Sequence, residues 1–435
     1  MFVRKTGVRR VKDRVIFHSD CNCFYASVEM HRHPELRDVP LCVGGHEESR
    51  HGIVLAKNPL AKAAGVKTGE ALWQARQKCP GLVTIPPDYA AYQRYSRLAR
   101  RIYYDYTDQV EPFGLDECWL DVTGSLALFG GDARLIANEI SERVKAELGI
   151  TVSVGASWNK VFAKFGSDAD AGDGIDFITR ENYREKVWPL PVEELIYVGR
   201  ATKRKLNAAA VFTIGDLANA SDAMLTTRLG KTGGILKAFA RGEDASPVKV
   251  MDEDAADVCR EVKSVGNGLT APHDIVCLED AKALIFLLAE SVAQRLRELH
   301  VRAHTIAIGV RDARTLAGYV RQWRLGVATC ITDEIAQCAF RLLRENEPLD
   351  AVHPLRALHV RASGLEPFQA VQQPTLFHDE EARQARERLD LAIDELRGRF
   401  GNTCVRRLVE LSDEGLSRLD IKAENVIHPV GYFGD

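Results

Sequence analysis

The sequence predicts a multidomain protein of mixed α/β (α+β) class, and three observations carry that reading. At 435 residues the chain is longer than one hydrophobic core usually spans. A strand-like run, an amphipathic helix and a second strand-like run follow one another between Cys118 and Ala156, a βαβ-like unit. From Trp188 the pattern turns helical, and from Val258 strand-like alternation returns. The hydrophobic content of 46% is ordinary for a globular protein.

Taken in order, Met1–Asp13 carries five Lys/Arg with no apolar core behind them, so it is not expected to be a signal peptide. Arg14–Ser19 reads as a buried strand that ends in Asp20. Phe24–Pro87 is compact, with glycines at 44, 45, 65 and 69. Tyr89–Tyr106 has helical spacing and many Tyr. Pro112 and Gly114 then mark a turn, and Cys118–Val122 alternate as a half-buried strand would. Asp132 is a good N-cap for a helix with Ile136, Ile140, Val144 and Leu148 on one face, closed by Gly149. Thr151–Ala156 is the next strand. Glu243–Asp257, polar and acidic with Pro247, reads as a linker. In Ala303–Val310, His304, Ile306, Ile308 and Val310 share one strand face, with helical stretches at Leu278–Leu299 and Asp333–Leu343. Asp379 caps a last helix with Leu389, Ile393, Leu396 and Phe400 on one face.

No stretch approaches the length of a membrane span; Ala283–Ala289 is apolar but short. Ten cysteines are scattered with no C-x-x-C pair, so reduced thiols and a cytoplasmic location are expected, and a zinc site is not. Gly230-Lys231-Thr232 lacks the first glycine of a P-loop, since Leu225 stands there. The net charge of −3 is not the basic footprint of a nucleic-acid binder. Charge is uneven, however. Arg295–Arg324 holds seven Arg against Glu298 and Asp312, a local +5, while Asp252–Asp257 and His378–Glu381 are acidic.

Chemistry concentrates in Pro112–Gly124. The adjacent carboxylates Asp116 and Glu117 sit between the turn and the strand. Strand neighbours point to opposite faces, so both can reach one site only at the strand's mouth. Two acids forced close together repel each other unless a cation neutralises them, and oxygen-only ligands suit Mg²⁺ or Mn²⁺. Asp20 would complete a three-carboxylate site, followed by Phe24 and Tyr25.

Asp20–Glu29 (Asp-Cys-Asn-Cys-Phe-Tyr-Ala-Ser-Val-Glu), Pro112–Thr123 and Ser153–Asp168 together resemble the core of the Y-family translesion DNA polymerases, in the branch of bacterial DNA polymerase IV. The likeness runs from about Val15 to about Phe377. It implies a right-hand polymerase: palm at 1–23 and 88–180, small fingers at 24–87, and a helical thumb at 181–242. A linker at 243–257, a little finger at 258–365 and a tail at 366–435 follow.

By that resemblance Asp20, Asp116 and Glu117 are catalytic. With the backbone carbonyl of Cys21 they hold two Mg²⁺ ions, or Mn²⁺ in their place. Tyr25 is the steric gate against a ribose 2′-hydroxyl, with Phe24 behind it. There are three departures from the pattern. Asn22 replaces the second Asp, which is not a metal ligand in the family. Ala56 and Pro59 stand where the family often has Thr and Tyr on the triphosphate, leaving Lys62, a point charge, in place of Arg. A triphosphate-contacting Lys is Ala171 here.

Tyr197-Val198-Gly199 resembles the turn of a helix-hairpin-helix, whose backbone N–H groups grip phosphate. Lys263 and Ser264, with the Arg-rich stretch, are the other DNA candidates. Gln373-Pro-Thr-Leu376-Phe377 resembles the peptide that docks on the bacterial sliding clamp.

The resemblance implies a monomer that extends primer-template DNA with dNTPs at low fidelity during DNA damage bypass and repair. Two competitors stand beside it. A nucleotidyl cyclase would not need the hairpin, the basic little finger or the clamp peptide. A catalytically weak DNA- and clamp-binding accessory protein would not need Asp20, Asp116 and Glu117.

Overall fold

The computed structural model describes residues 13–45, 52–168, 174–250, 262–370, 380–412, 414–417 and 419–424. Apart from the short stretch Gly44–Ile53, these divide between Cys259 and Arg260 into two compact units. The first runs β1 (Ile16–Cys21), α1 (Phe24–Arg32), β2 (Leu41–Gly44), β3 (Val54–Lys57), α2 (Pro59–Ala63), α3 (Leu72–Lys78), β4 (Val83–Ile85), α4 (Tyr89–Tyr104) and β5 (Val110–Pro112). It continues with β6 (Glu117–Asp121), α5 (Ala133–Leu148), β7 (Val152–Ser157), α6 (Lys160–Asp168) and β8 (Ile175–Phe177). The helices α7 (Tyr183–Lys186), α8 (Arg200–Asn207), α9 (Ile214–Asn219), α10 (Asp222–Leu229) and α11 (Lys231–Ala240) complete it.

Five strands form one sheet in the order β5-β6-β1-β7-β8, and β3-β2-β4 form a small second sheet. Both β6 and β7 run antiparallel to β1, one on either side. The strand–helix–strand unit read from the sequence is therefore split, with β1 inserted between its two strands. Helix α5 forms as its residues dictate. The Asp132 side chain accepts from the Arg134 N–H, Ile136, Ile140, Val144 and Leu148 are buried, and Gly149 closes the helix at φ 67°.

Strand β6 is buried along most of its length, not on one face only. The alternation at Cys118–Val122 predicted one solvated face, but both are covered. Phe17, Cys118 and Leu120 pack in one core with residues of α4 and α5. Ile16 and Trp119 pack in another with Val161 and Phe162 of α6 and with Leu206, Leu225 and Phe239 of the helical region. Helix α6 comes unusually close to β7. A Cβ added to Gly155 would meet the Ala163 carbonyl at 1.9 Å and the Ser167 nitrogen at 2.3 Å, so only glycine allows this approach.

Residues 243–250, the described part of the predicted linker, lie along the first unit. Val248 is buried, the Ser246 carbonyl accepts from Arg14, and the Lys249 N–H donates to Glu111 Oε2 at 2.9 Å.

The second unit runs β9 (Ser264–Ile275), α12 (Leu278–Glu298), β10 (Val301–Asp312), β11 (Gly318–Thr329), α13 (Thr332–Asn346) and β12 (Leu355–Pro367). Then come α14 (Glu380–Phe400), α15 (Glu414–Ser417) and α16 (Ile421–Glu424). Its sheet, ordered β11-β10-β12-β9, is antiparallel throughout. Ile306, Ile308 and Val310 join the core made with α12 and α13, as their alternation predicts. His304, on the same face, sits at the strand's end with Nε2 2.8 Å from Glu366 Oε2.

Helix α14 is the opposite of what its pattern suggests. Leu389, Leu396 and Phe400, taken as its inward face, are 59%, 40% and 65% exposed. Its buried residues are Arg383, Asp390 and Arg397, spaced by seven. Arg397 Nη2 donates to Glu290 Oε2 at 2.6 Å. Asp390 accepts from Arg297 and from the Thr332 N–H, and Arg383 pairs with Glu334 at 2.8 Å. The reason is that α12 and α13 offer charged partners there, and buried charges must be paired. Asp379, the expected cap, lies outside the described residues. No described helix is long and apolar enough to cross a membrane.

Candidate active site and nucleic-acid interface

The central strand β1 delivers its candidate side chains with period two. His18 and Asp20 share one face and lie opposite Trp119 and Glu117 of β6. Asp116 stands one residue before β6, and its carbonyl accepts from the Cys21 N–H at 3.0 Å. Gly114, at φ 98°, turns the chain just before it. The three predicted carboxylates therefore meet at the strand's mouth.

Their electrostatics split them. Burial, then the Glu117 and Asp116 charges, push Asp20 up to about 8. Burial, then the Glu117 charge, push Asp116 up to about 6. Glu117 is buried too, but His18 and Lys164 more than offset this and hold it down at about 2. Lys164 Nζ lies 2.7 Å and His18 Nε2 3.2 Å from Glu117 Oε2. Burial lowers the pKa of His18 and keeps it neutral, and its Nδ1 lies 2.7 Å from Ser167 Oγ. Glu117 is thus a fixed charge, while Asp20 and Asp116 exchange protons near neutrality. Among the described residues no group of three or more His, Cys, Asp and Glu closes to metal-binding spacing. Glu117 faces Lys164 instead.

Tyr25 projects from α1 beside this cluster. Its ring stacks on Tyr92 at 4.2 Å and 11°, with Tyr89 edge-on at 6.1 Å. Tyr92 donates to Glu29 Oε1 at 2.7 Å, and Glu29 is one turn along α1 from Tyr25, which closes the brace. Burial and then the Asp116 charge raise the Tyr25 pKa. Phe24 is buried behind it, 5.7 Å centroid to centroid. Lys62 lies in the last turn of α2, whose first residue is Pro59, and Ala56 lies on β3. The charges of both Lys62 and Lys57 act on the Cys23 thiol, so two ammonium groups sit near the Asp20–Tyr25 segment. Ala171, Gln373, Leu376 and Phe377 lie outside the described residues.

Gly199 is the N-cap of α8, after Tyr197 at φ 70°, and no side chain caps that helix. In the second unit the sheet face away from α12 and α13 is organised in rows. Ser264, Ser363, Thr305 and Arg324 stand in register across the four strands, as do Gly266, Arg361, Ala307 and Gln322, and then Gly268, His359, Gly309 and Val320. None of these positions is acidic. Lys263 is exposed at the edge, next to Ser264.

The Arg-rich stretch does not act as one surface. Arg297 and Arg302 pair with Asp394 and Glu387 of α14, and of the stretch only Arg311 and Arg324 share the register of the open face. Sequence reasoning missed Arg361 and His359, which lie far along the chain. It also missed His18 and Lys164, although His18 has the same parity as Asp20.

A model described as the impB/mucB/samB family matches residues 19–168, and the model of that family's C-terminal domain matches residues 262–376. DNA polymerase IV of Acetivibrio thermocellus is 50% identical over 406 residues, covering 93% of this chain and 100% of that relative. DNA polymerase IV 2 of Halalkalibacterium halodurans is 38% identical, covering 91% of this chain and 95% of that relative. DNA polymerase IV 2 of Bacillus subtilis is 34% identical, covering 93% and 96%. A solved Y-family DNA polymerase chimera shares the fold at TM-score 0.69 and 21% identity, covering 81% of this chain and 99% of the chimera. With two family models in the expected order and relatives matched over nearly their whole length, this chain belongs to the impB/mucB/samB family of Y-family DNA polymerases.

Proposed function

We propose that the protein is a template-directed translesion DNA polymerase that adds dNTPs to a primer 3′-hydroxyl during DNA damage bypass. One observation carries this reading. Asp20, Asp116 and Glu117 converge at the mouth of the sheet, and burial and mutual repulsion leave two of them under-neutralised. Such a donor set fits hard divalent cations. Asp20, Asp116, Glu117 and the Cys21 carbonyl would hold two Mg²⁺, with Mn²⁺ as the alternative. Bound there, the ions supply Lewis acidity to the primer hydroxyl and to the departing pyrophosphate.

The chain's own residues do the positioning. Tyr25, braced by Tyr92, excludes a 2′-hydroxyl by its bulk, and Lys62 and Lys57 offer charge to the triphosphate. The α8 turn at Gly199 and the open face with Lys263, Ser264, Arg324 and Arg361 suit DNA phosphates. The palm, fingers, thumb and little-finger boundaries expected from the sequence belong to this reading. Gln373, Leu376 and Phe377 are assigned to the sliding clamp, which would raise processivity by tethering. A cytoplasmic location goes with these partners. The accessory-protein reading is not favoured, since the relatives are named polymerases.

The test is primer extension on an undamaged template with Mg²⁺ and four dNTPs, without and with clamp. Template-dependent products, longer with clamp, are expected; DNA binding without extension would overturn the assignment. In the same assay Tyr25→Ala is expected to raise ribonucleotide incorporation. A clash of this kind is worth about 1–3 kcal/mol, roughly 10- to 100-fold in selectivity. Unchanged sugar selectivity would remove Tyr25 from the role.

The pH dependence has a definite sign. Asp20 and Asp116 have folded pKa values near 8 and 6, above their ordinary 3.8. Their protonation therefore stabilises the fold below about pH 4, and that contribution is lost as pH rises through 6 to 8. Glu117 acts the other way, but only as pH falls from its ordinary 4.5 through about 2. In chelator, the thermal midpoint is expected to fall between pH 5 and pH 8.5. Mg²⁺ should restore it most at the alkaline end, and Asp20→Asn should flatten the slope. A flat profile in chelator would contradict the burial argument.

A further inference from the structure

Helix α6 carries two lysines one turn apart, and each meets one glutamate of the β5–β6 hairpin. Lys160 Nζ lies 2.7 Å from Glu111 Oε2, and Lys164 Nζ lies 2.7 Å from Glu117 Oε2. Between them stand the Phe113 and Trp119 rings, 4.8 Å apart. Lys160 lies over Trp119 and Lys164 beside Phe113, with the ammonium groups 4.5 and 5.9 Å from the ring centroids. The geometry is shared but the surroundings differ. Lys160 and Glu111 are 2% and 4% exposed; Lys164 and Glu117 are 20% and 21% exposed, at the edge where Asp20 and Asp116 converge.

We infer that Lys164 is a built-in counter-ion for the carboxylate cluster, which a divalent cation must displace from Glu117. The inference rests on the proposed cation role of Asp20, Asp116 and Glu117. The inner pair is almost wholly shut off from solvent. It fixes the register of α6 against the hairpin, and the glycine contact of Gly155 with α6 holds that helix close. With the register fixed, the residue one turn on must present its ammonium group to Glu117. Lys164 has a second carboxylate within reach, Asp168 Oδ1 at 3.9 Å on its own helix. It can therefore leave Glu117 without losing all compensation. His18 stays behind on Glu117 Oε2, anchored by Ser167, and keeps the carboxylate in place during the exchange. Lys164 is thus a positioning residue. It offsets part of the repulsion among the three acids and is a competing positive charge that an incoming cation must overcome.

The experiment is Mn²⁺ binding to the full chain, without DNA or nucleotide, read by the electron paramagnetic resonance of free Mn²⁺. Lys164→Met is expected to bind Mn²⁺ about tenfold tighter or more, because one competing positive charge is gone. Lys164→Arg, which keeps the charge, is expected to bind like the parent protein. In a Glu117→Gln background, Lys164→Met should gain far less, since the pair it breaks no longer exists. Affinity unchanged or weakened in Lys164→Met, with its thermal midpoint retained, would make Lys164 a structural strut and overturn the inference alone. Should Lys164→Met lose its thermal midpoint, Lys164→Ser and Lys164→Gln serve in its place, and equal affinity in these also overturns it. No Mn²⁺ binding by the parent protein or any variant would overturn the carboxylate site itself, and the counter-ion with it.

Discussion

Asp116→Ala and Asp20→Ala are each expected to lower primer extension by about a thousandfold or more, with primer-template affinity within about twofold of the parent. Organising a divalent cation is worth several kcal/mol at a reacting oxygen, and each 1.4 kcal/mol is about tenfold in rate. Asp116 is placed by its own carbonyl on the Cys21 N–H, and Asp20 by its pairing opposite Glu117. Affinity should survive because the proposed DNA contacts lie on other elements, the α8 turn and the open face of the second unit's sheet. Removing a buried, under-neutralised acid also relieves repulsion, so neither variant should melt below the parent in chelator. Appreciable extension by either variant would show that the nucleotidyl transfer happens elsewhere.

The largest expected effect on stability comes from Glu111→Ala. Its carboxylate accepts from Lys160 at 2.7 Å and from the Lys249 N–H at 2.9 Å, and both side chains of the ion pair are buried. Removing one partner of a buried ion pair costs about 3–5 kcal/mol, because the other charge keeps its desolvation penalty and loses its nearest counter-charge. For a unit of this size that corresponds to a loss of roughly 10 °C in thermal midpoint. Replacing both partners, as Glu111→Met with Lys160→Met, should recover most of the loss, because apolar side chains of similar volume tolerate the same environment. A single variant within about 1 kcal/mol of the parent would mean that the pair is solvated in solution.

Much of this site could be read from residue order alone. The Asp-Glu step after a turn and an acid at the end of a buried run point to a strand's mouth, and the resemblance of the stretches around them to one family joins Asp20 to Asp116 and Glu117. Helix α5 was equally legible, since its cap, apolar face and closing glycine all agree. What stayed hidden depends on partners distant in sequence. Whether β6 is covered on one face or two is decided by α6 and the helices beyond it, not by β6 itself. Nothing next to Glu117 announces that Lys164, 47 positions on, will hold it. Tyr92 could be seen as one of many Tyr on a helix, but not as the brace of Tyr25. The Arg-rich stretch divides between two surroundings because a strand sends alternate side chains to opposite faces, and because α14 supplies acids to two of its members.

The reversed attachment of α14 bears on the order in which the molecule comes together. Most helices are gathered by collapse, since an oily stripe finds any oily surface before it finds the right one. The inward stripe of α14 is Arg383, Asp390 and Arg397, which gains nothing from collapse as such. Its partners, Glu334, Arg297, Glu290 and the Thr332 N–H, take their positions only when α12 and α13 are already seated on the sheet. A charge has one correct address and many costly wrong ones. The helix therefore has a single berth, which exists only where α12 and α13 hold these partners in place.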